Sequence, residues 1–201
     1  MARAVSPAAK MNASPLEGLD RSIVLVGLMG AGKSSIGKRL AQRLALPFID
    51  ADQEIESAAG CSIPDFFERY GEAAFRDGER RVIARLLQGP VQVLATGGGA
   101  FMDPQTRHEV ATHGISVWLR ADLAVLEKRV ARRNDRPLLL AGEPRRILQE
   151  LMDRRYPVYA TADITVDSGE NPHEAVVDRI IDELAAFLAA PPANGGDGAA
   201  P

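Results

Sequence analysis

Gly27-Leu28-Met29-Gly30-Ala31-Gly32-Lys33-Ser34 satisfies the phosphate-binding template G-x-x-x-x-G-K-[ST] at every fixed position. Ahead of it runs Ile23-Val24-Leu25-Val26, apolar throughout as a buried parallel strand requires. Behind it Ile36, Leu40 and Leu44 recur at helical spacing. That strand-loop-helix context separates the motif from a tight turn with an incidental lysine. In such a loop the glycines let successive amides point inward around phosphate oxygens, and the helix that follows adds the partial positive charge of its N-terminus. Lys33 is placed to neutralise the β- and γ-phosphates. Ser34 offers its hydroxyl to a magnesium ion that the phosphates already hold, since magnesium rarely sits in an all-protein cage.

The chain around this loop has 201 residues and a formal charge of -3, which suits one α/β domain with a single core and argues against a nucleic-acid partner bound through bulk charge. Its one cysteine, Cys61, rules out an internal disulfide framework and a C-x-x-C metal site; it points to a reducing compartment and reads as a packing residue. No apolar stretch approaches the roughly 18 residues that span a bilayer, so a soluble, cytoplasmic protein is expected. The first twenty residues lack the apolar core of a secretory signal, and their Ala/Ser-rich composition with Arg3 and Lys10 bears only a faint likeness to an organelle transit peptide. Residues 1–20 and the Pro/Gly/Ala-rich 190–201 are expected to be disordered tails flanking one domain at 21–189.

Four further strands are expected at Pro47-Phe48-Ile49-Asp50, at 91–95, at 115–119 and at 164–166. Helices are expected from Gln53 to Ala59 with Gly60 as the stop, from a Ser62 cap through Pro64, from about Glu72 to Gln88, and near 104–113, 122–133, 145–155 and 172–189. Short apolar strands alternating with helices imply a parallel sheet covered on both faces, with right-handed crossovers. Ligands of such sheets bind at the carboxyl ends of the strands, which makes Asp50 and Asp52 more informative than acids on a helix surface.

The acceptor side decides the class. The strand before Thr96 ends without the aspartate of a Walker B motif, so Asp50 or Asp52 must serve any metal-bound water. Gly97-Gly98-Gly99 leaves main-chain amides open to a ligand. In the stretch from Lys128 to Gly142 a basic helix gives way to a short loop around Arg136, which could close over a phosphoryl group in transfer. Arg76 and the pair Arg154-Arg155 are candidates for a planar, bidentate grip on a carboxylate. His108, His113 and His173 show no ligand spacing and are assigned to the surface. Trp118, in mid-strand, is assigned to the core.

Taken in order, G-L-M-G-A-G-K-S-S, F-I-D-A-D, the F-R-x-x-E of Phe75 to Glu79, T-G-G-G, R-P-L-L and R-R-Y-P-V-Y resemble shikimate kinase from about residue 21 to 185. The resemblance implies the three-layer P-loop kinase fold of nucleoside monophosphate kinases, with five parallel strands in the order 2-3-1-4-5 and a short lid at about 132–143. It implies ATP-dependent phosphorylation of the 3-hydroxyl of shikimate in aromatic amino-acid biosynthesis, with magnesium as cofactor. By position, Gly30, Ala31, Gly32, Lys33, Ser34 and Ser35 would bind ATP, and Ser34 with Asp50 would serve magnesium. Asp52 would bind the shikimate hydroxyls and orient or deprotonate the attacking one, within a substrate-binding region at about 51–80. Arg76, oriented by Glu79, and Arg155 would hold the shikimate carboxylate, with Gly97, Gly98 and Gly99 adding amide contacts and Phe67 and Phe75 apolar walls. Arg136 would reach the phosphates from the lid. Asn171 and Pro172 resemble the adenine-side loop, with Arg132 or Arg133 stacking opposite; the lid is short here, and Glu170 stands where some relatives carry a base.

The expected partners are therefore ATP and shikimate for a monomer, with no nucleic acid and no membrane. Gluconate kinase and the nucleoside monophosphate kinases share the loop, sheet and lid. A nucleotide switch would leave Asp52, Arg76, the triple glycine and Arg155 without a common purpose, and a nucleic-acid module conflicts with the acidic balance and few aromatics.

Overall fold

The computed structural model describes residues 16, 18–131 and 144–190. Five strands form one parallel sheet: β1 (Ser22–Val26), β2 (Phe48–Asp50), β3 (Val93–Ala95), β4 (Gly114–Arg120) and β5 (Ile164–Asp167), in the order β2-β3-β1-β4-β5. β1 is central because every one of its side chains can be buried, and all five are. Its register sets Ile23 against Val93 on one side and against Ile115 on the other. The expected order is the observed one.

Seven helices, one of them kinked, are described on the two faces: α1 (Lys33–Leu44), α2 (Ala51–Ala59), α3 (Ile63–Leu87), α4 (Pro104–His113), α5 (Leu123–Val130), α6 (Pro144–Tyr159) and α7 (His173–Ala189). α1 turns Ile36, Leu40, Ala41 and Leu44 into the core, and α7 runs beside it. The two expected helices at Ser62 and Glu72 are one element broken at Gly71, whose φ of 78° no helical residue adopts. Ahead of the expected domain start, Leu16 is buried and Leu19 is partly buried against the core.

Among the boundaries that differ from expectation, three do so for an identifiable local reason. α2 begins two residues early because the Asp50 side chain caps it, accepting the Asp52 amide at 3.2 Å. β3 starts at Val93, since the Gln92 amide bonds the Ser22 hydroxyl at 3.3 Å instead of joining the ladder. α6 continues past residue 155 through Pro157 to Tyr159, which puts Arg155 and Tyr159 four residues apart on one helical face. The expected lid at about 132–143, with Arg132, Arg133 and Arg136, lies outside the described residues, as do nearly all of both expected tails. Among the described residues no helix is long and apolar enough to cross a membrane.

Candidate active site

Strand register assembles the site. Asp50 at the end of β2 is the partner of Ala95 at the end of β3, and Leu25 of β1 is the other partner of Ala95. Thr96 ties the exit from β3 to β1, its amide and its hydroxyl both donating to the Leu25 carbonyl, at 3.2 and 3.0 Å. The phosphate loop, the carboxylates after β2 and the triple glycine after β3 thus leave one edge of the sheet side by side, as parallel strands dictate.

Within the loop Gly32 caps α1 at φ 97°, a conformation that leaves the helix N-terminus open toward the cavity. Lys33 Nζ donates to the carbonyls of Gly27 at 2.7 Å and Leu28 at 3.0 Å. Ser34 Oγ donates to Asp50 Oδ2 at 2.7 Å, so the two expected metal-serving groups are in direct contact. Among the described residues no cluster of three His, Cys, Asp or Glu side chains could hold a metal ion. A cavity of about 430 Å³ covers this region, with Ser35, Asp52 and Gly98 on its wall.

The triple glycine gathers the charged groups. A Cβ on Gly97 would lie 2.8 Å from both Asp52 Oδ1 and Glu79 Oε1. On Gly98 it would lie 3.3 Å from Arg155 Nη1, and on Gly99 2.6 Å from Arg76 Nη1. These glycines are small because the protein's own side chains occupy the space above them, a tighter reason than an open approach for ligand. Arg76 Nη1 donates to Glu79 Oε2 at 2.6 Å and Arg155 Nη1 to the Gly98 carbonyl at 2.7 Å. Arg154 of the expected pair is exposed and Arg155 half-buried, which settles which of the two faces the turn. Phe67 and Phe75 stack with ring centres 4.6 Å apart beside this group.

Electrostatics follow from burial. Glu79 is 3% exposed, and burial pushes its carboxyl up, with the Arg76 guanidinium opposing and Asp52 adding to the rise. Burial pulls the Arg76 guanidinium down, yet Glu79 and Glu72 outweigh it and hold it above its ordinary range. Arg76 therefore stays a cation with a fixed orientation.

Three residues at the site, Arg129, His173 and Tyr159, were given no role from sequence. Arg129 reaches the phosphate loop, donating to the carbonyls of Gly30, Ala31, Ser168 and Gly169 at 2.5 to 3.4 Å; burial lowers its guanidinium. His173, half-buried, lines the same cavity from the start of α7, immediately after Pro172. Glu170 pairs with Lys128 at 3.3 Å at the surface. Tyr159, fully buried, donates its hydroxyl to the Gly98 carbonyl that also accepts from Arg155. Burial pushes the Tyr159 phenol up to about 12, against the pull of Arg155. The signal for Tyr159 was its i+4 spacing from Arg155, hidden by the proline between them. Trp118 is buried as expected, edge-on to Tyr156 at 4.9 Å.

Two outcomes test this arrangement. Gly99→Ala places a methyl on the Arg76 guanidinium, which must shift and loosen its bond to the buried Glu79. The KM of the acceptor is expected to rise about tenfold, the effect of one charged hydrogen bond, and the melting temperature to fall as Glu79 loses its partner. Unaltered acceptor kinetics would detach Arg76 from the site. Tyr159→Phe removes one of two donors to Gly98 and is expected to cost about 1 kcal/mol of stability. Burial raises the phenol from its ordinary 10.0 to about 12, so wild type should lose stability as pH rises through that interval, and the variant should lack that part of the alkaline slope.

Comparison with known proteins adds an independent finding. A family model described as shikimate kinase matches residues 29–185. A shikimate kinase of Paramagnetospirillum magneticum is 59% identical over 170 residues, covering 85% of this chain and 87% of that protein. Another, of Bradyrhizobium diazoefficiens, is 55% identical over 179 residues, covering 87% and 86% respectively. Among solved structures, shikimate kinase from Acinetobacter baumannii in complex with shikimate superposes with a TM-score of 0.80 at 34% identity, over 85% of this chain and 96% of that one.

Proposed function

This chain belongs to the shikimate kinase family, and from that premise we propose how its residues transfer the γ-phosphoryl group of ATP to the 3-hydroxyl of shikimate. The products are shikimate 3-phosphate, which feeds chorismate and aromatic amino-acid synthesis, and ADP. The observation that carries the residue assignment is the convergence of Asp52, Arg76, Glu79 and Arg155 on Gly97 to Gly99, beside the phosphate loop. Two cations, Arg76 and Arg155, and the Asp52 carboxylate around one turn suit a small polyhydroxylated carboxylate.

Phosphoryl transfer leaves little covalent chemistry to the protein, so positioning and charge neutralisation do most of it. Loop amides from Gly30 to Ser35 and Lys33 surround the phosphates, Lys33 exchanging the Gly27 and Leu28 carbonyls for phosphate oxygens. Asp52 orients the attacking hydroxyl and takes its proton. Arg76, held by Glu79, and Arg155, held by the Gly98 carbonyl, grip the carboxylate. Asn171 and Pro172 take the adenine side, with Arg129 opposite, and Arg136 is assigned to the phosphates through the family resemblance.

The donor set fits magnesium: a serine hydroxyl and a carboxylate oxygen beside the phosphate loop are the one or two hard donors this ion takes from protein when phosphates supply the rest. Bound there, magnesium would neutralise charge on the β- and γ-phosphates. The acidic balance and single cysteine suit a monomeric cytoplasmic enzyme whose partners are ATP and shikimate, with neither nucleic acid nor membrane.

A coupled ADP-release assay with shikimate, gluconate and AMP as alternative acceptors tests the reading. Turnover is expected with shikimate alone. Release of ADP with gluconate or AMP but not shikimate would overturn it, and ATP binding without acceptor-dependent release would indicate a switch.

A further inference from the structure

The cavity of about 430 Å³ over the phosphate loop adjoins a second, of about 370 Å³, that contains Asn171 and Pro172. Among the described residues the two share Arg129 and His173 alone in their walls. A nucleotide with its terminal phosphates at Lys33 and its base in the second cavity must pass between these two side chains. The part that passes is the ribose and the α-phosphate. Arg129 already has its guanidinium spread over four carbonyls. The His173 imidazole makes no hydrogen bond among the described residues. We propose that His173 is a nucleotide-contacting residue of this chain, donating from its ring to the ribose or α-phosphate of bound ATP at the neck between the cavities.

The surroundings suit that role. His173 is the first residue of α7, and no side chain caps this helix, so nothing competes for the ring at its own terminus. The charged groups around it are Arg39 of α1, Arg129 of α5 and Glu174 of its own helix. Burial, then Arg39 and Arg129, hold the imidazole below its ordinary range, so at neutral pH it is uncharged with one N–H donor and one acceptor nitrogen. That pairing matches a ribose hydroxyl, which both gives and takes a hydrogen bond, and the donor alone matches a phosphate oxygen. Glu174 is itself engaged by Arg39 at 3.2 Å, so it does not claim the ring.

The inference rests on ATP being the co-substrate, as assigned above. The test uses His173→Ala and His173→Gln in the full chain, with KM for ATP and for shikimate, and calorimetric affinity for ADP and for pyrophosphate. In the alanine variant the KM for ATP and the Kd for ADP are expected to rise about 3- to 10-fold, the range for one uncharged hydrogen bond, with glutamine restoring part of the loss. Shikimate KM and pyrophosphate affinity are expected to stay at wild-type values, because neither ligand reaches the neck. ADP affinity unchanged in both variants would overturn the proposal. So would an equal loss for ADP and pyrophosphate, which would mark a distorted phosphate loop. If the alanine variant does not fold, the glutamine variant decides by the same ADP comparison. Absence of shikimate turnover in wild type would sink the acceptor assignment alone, since ADP binding still reads His173.

Discussion

Replacing Lys33 by methionine is expected to lower turnover by roughly 10²- to 10³-fold or more, the scale on which removal of one preorganised electrostatic group acts. The fold should survive. Methionine keeps the length and apolar stem of the lysine, and the side chain's bonds at 2.7 and 3.0 Å go to loop carbonyls at a partly buried site that water can still reach. What disappears is the one loop side chain whose positive charge follows the phosphoryl group as it separates from ADP. Steady-state kinetics with circular dichroism checks the outcome. A folded variant with near wild-type turnover would remove Lys33 from the mechanism.

Arg155→Ala is expected to weaken shikimate binding by about 1.5 to 3 kcal/mol, the range for a charged hydrogen bond, read as roughly a 10- to 150-fold rise in KM. Lysine at 155 should recover only part, because a point charge cannot reproduce a planar, two-pronged contact with a carboxylate. The geometry makes this a clean experiment. The Gly98 carbonyl loses the Arg155 donor at 2.7 Å but keeps the Tyr159 hydroxyl, so the turn remains anchored when the arginine is gone. An unchanged KM for shikimate in the alanine variant would exclude Arg155 from the acceptor site.

Local signals announced the parts whose chemistry is contained in a few neighbouring residues. The P-loop was legible because two glycines, a lysine and a serine at fixed spacing between an apolar strand and an amphipathic helix have few other uses. Asp50 and Asp52 were legible as acids at a strand end, and the structure adds that Asp50 both caps α2 and accepts the Ser34 hydroxyl. Arg129 was not legible: in a run of basic residues nothing distinguishes the one whose guanidinium meets four carbonyls from distant segments. His173 was missed because surface assignment followed from the lack of a local partner, while its position depends on α7 starting beside α1. Helix length misled at 155, where Pro157 reads as a stop but α6 runs two residues beyond it.

By itself the amino-acid order determined the phosphate loop, the alternation of strands and helices and, through an ordered set of motifs, the family, because each depends on contacts within a few residues or on periodicity. Tertiary structure alone decided that Arg76, Glu79, Asp52 and Arg155 share one turn, that Tyr159 supports it, and that Arg129 and His173 line both cavities beside the phosphate loop. Those groups come from positions 52 to 173 and meet only because parallel strands bring their carboxyl ends to one edge, where register, helix phase and burial together set which side chains face inward.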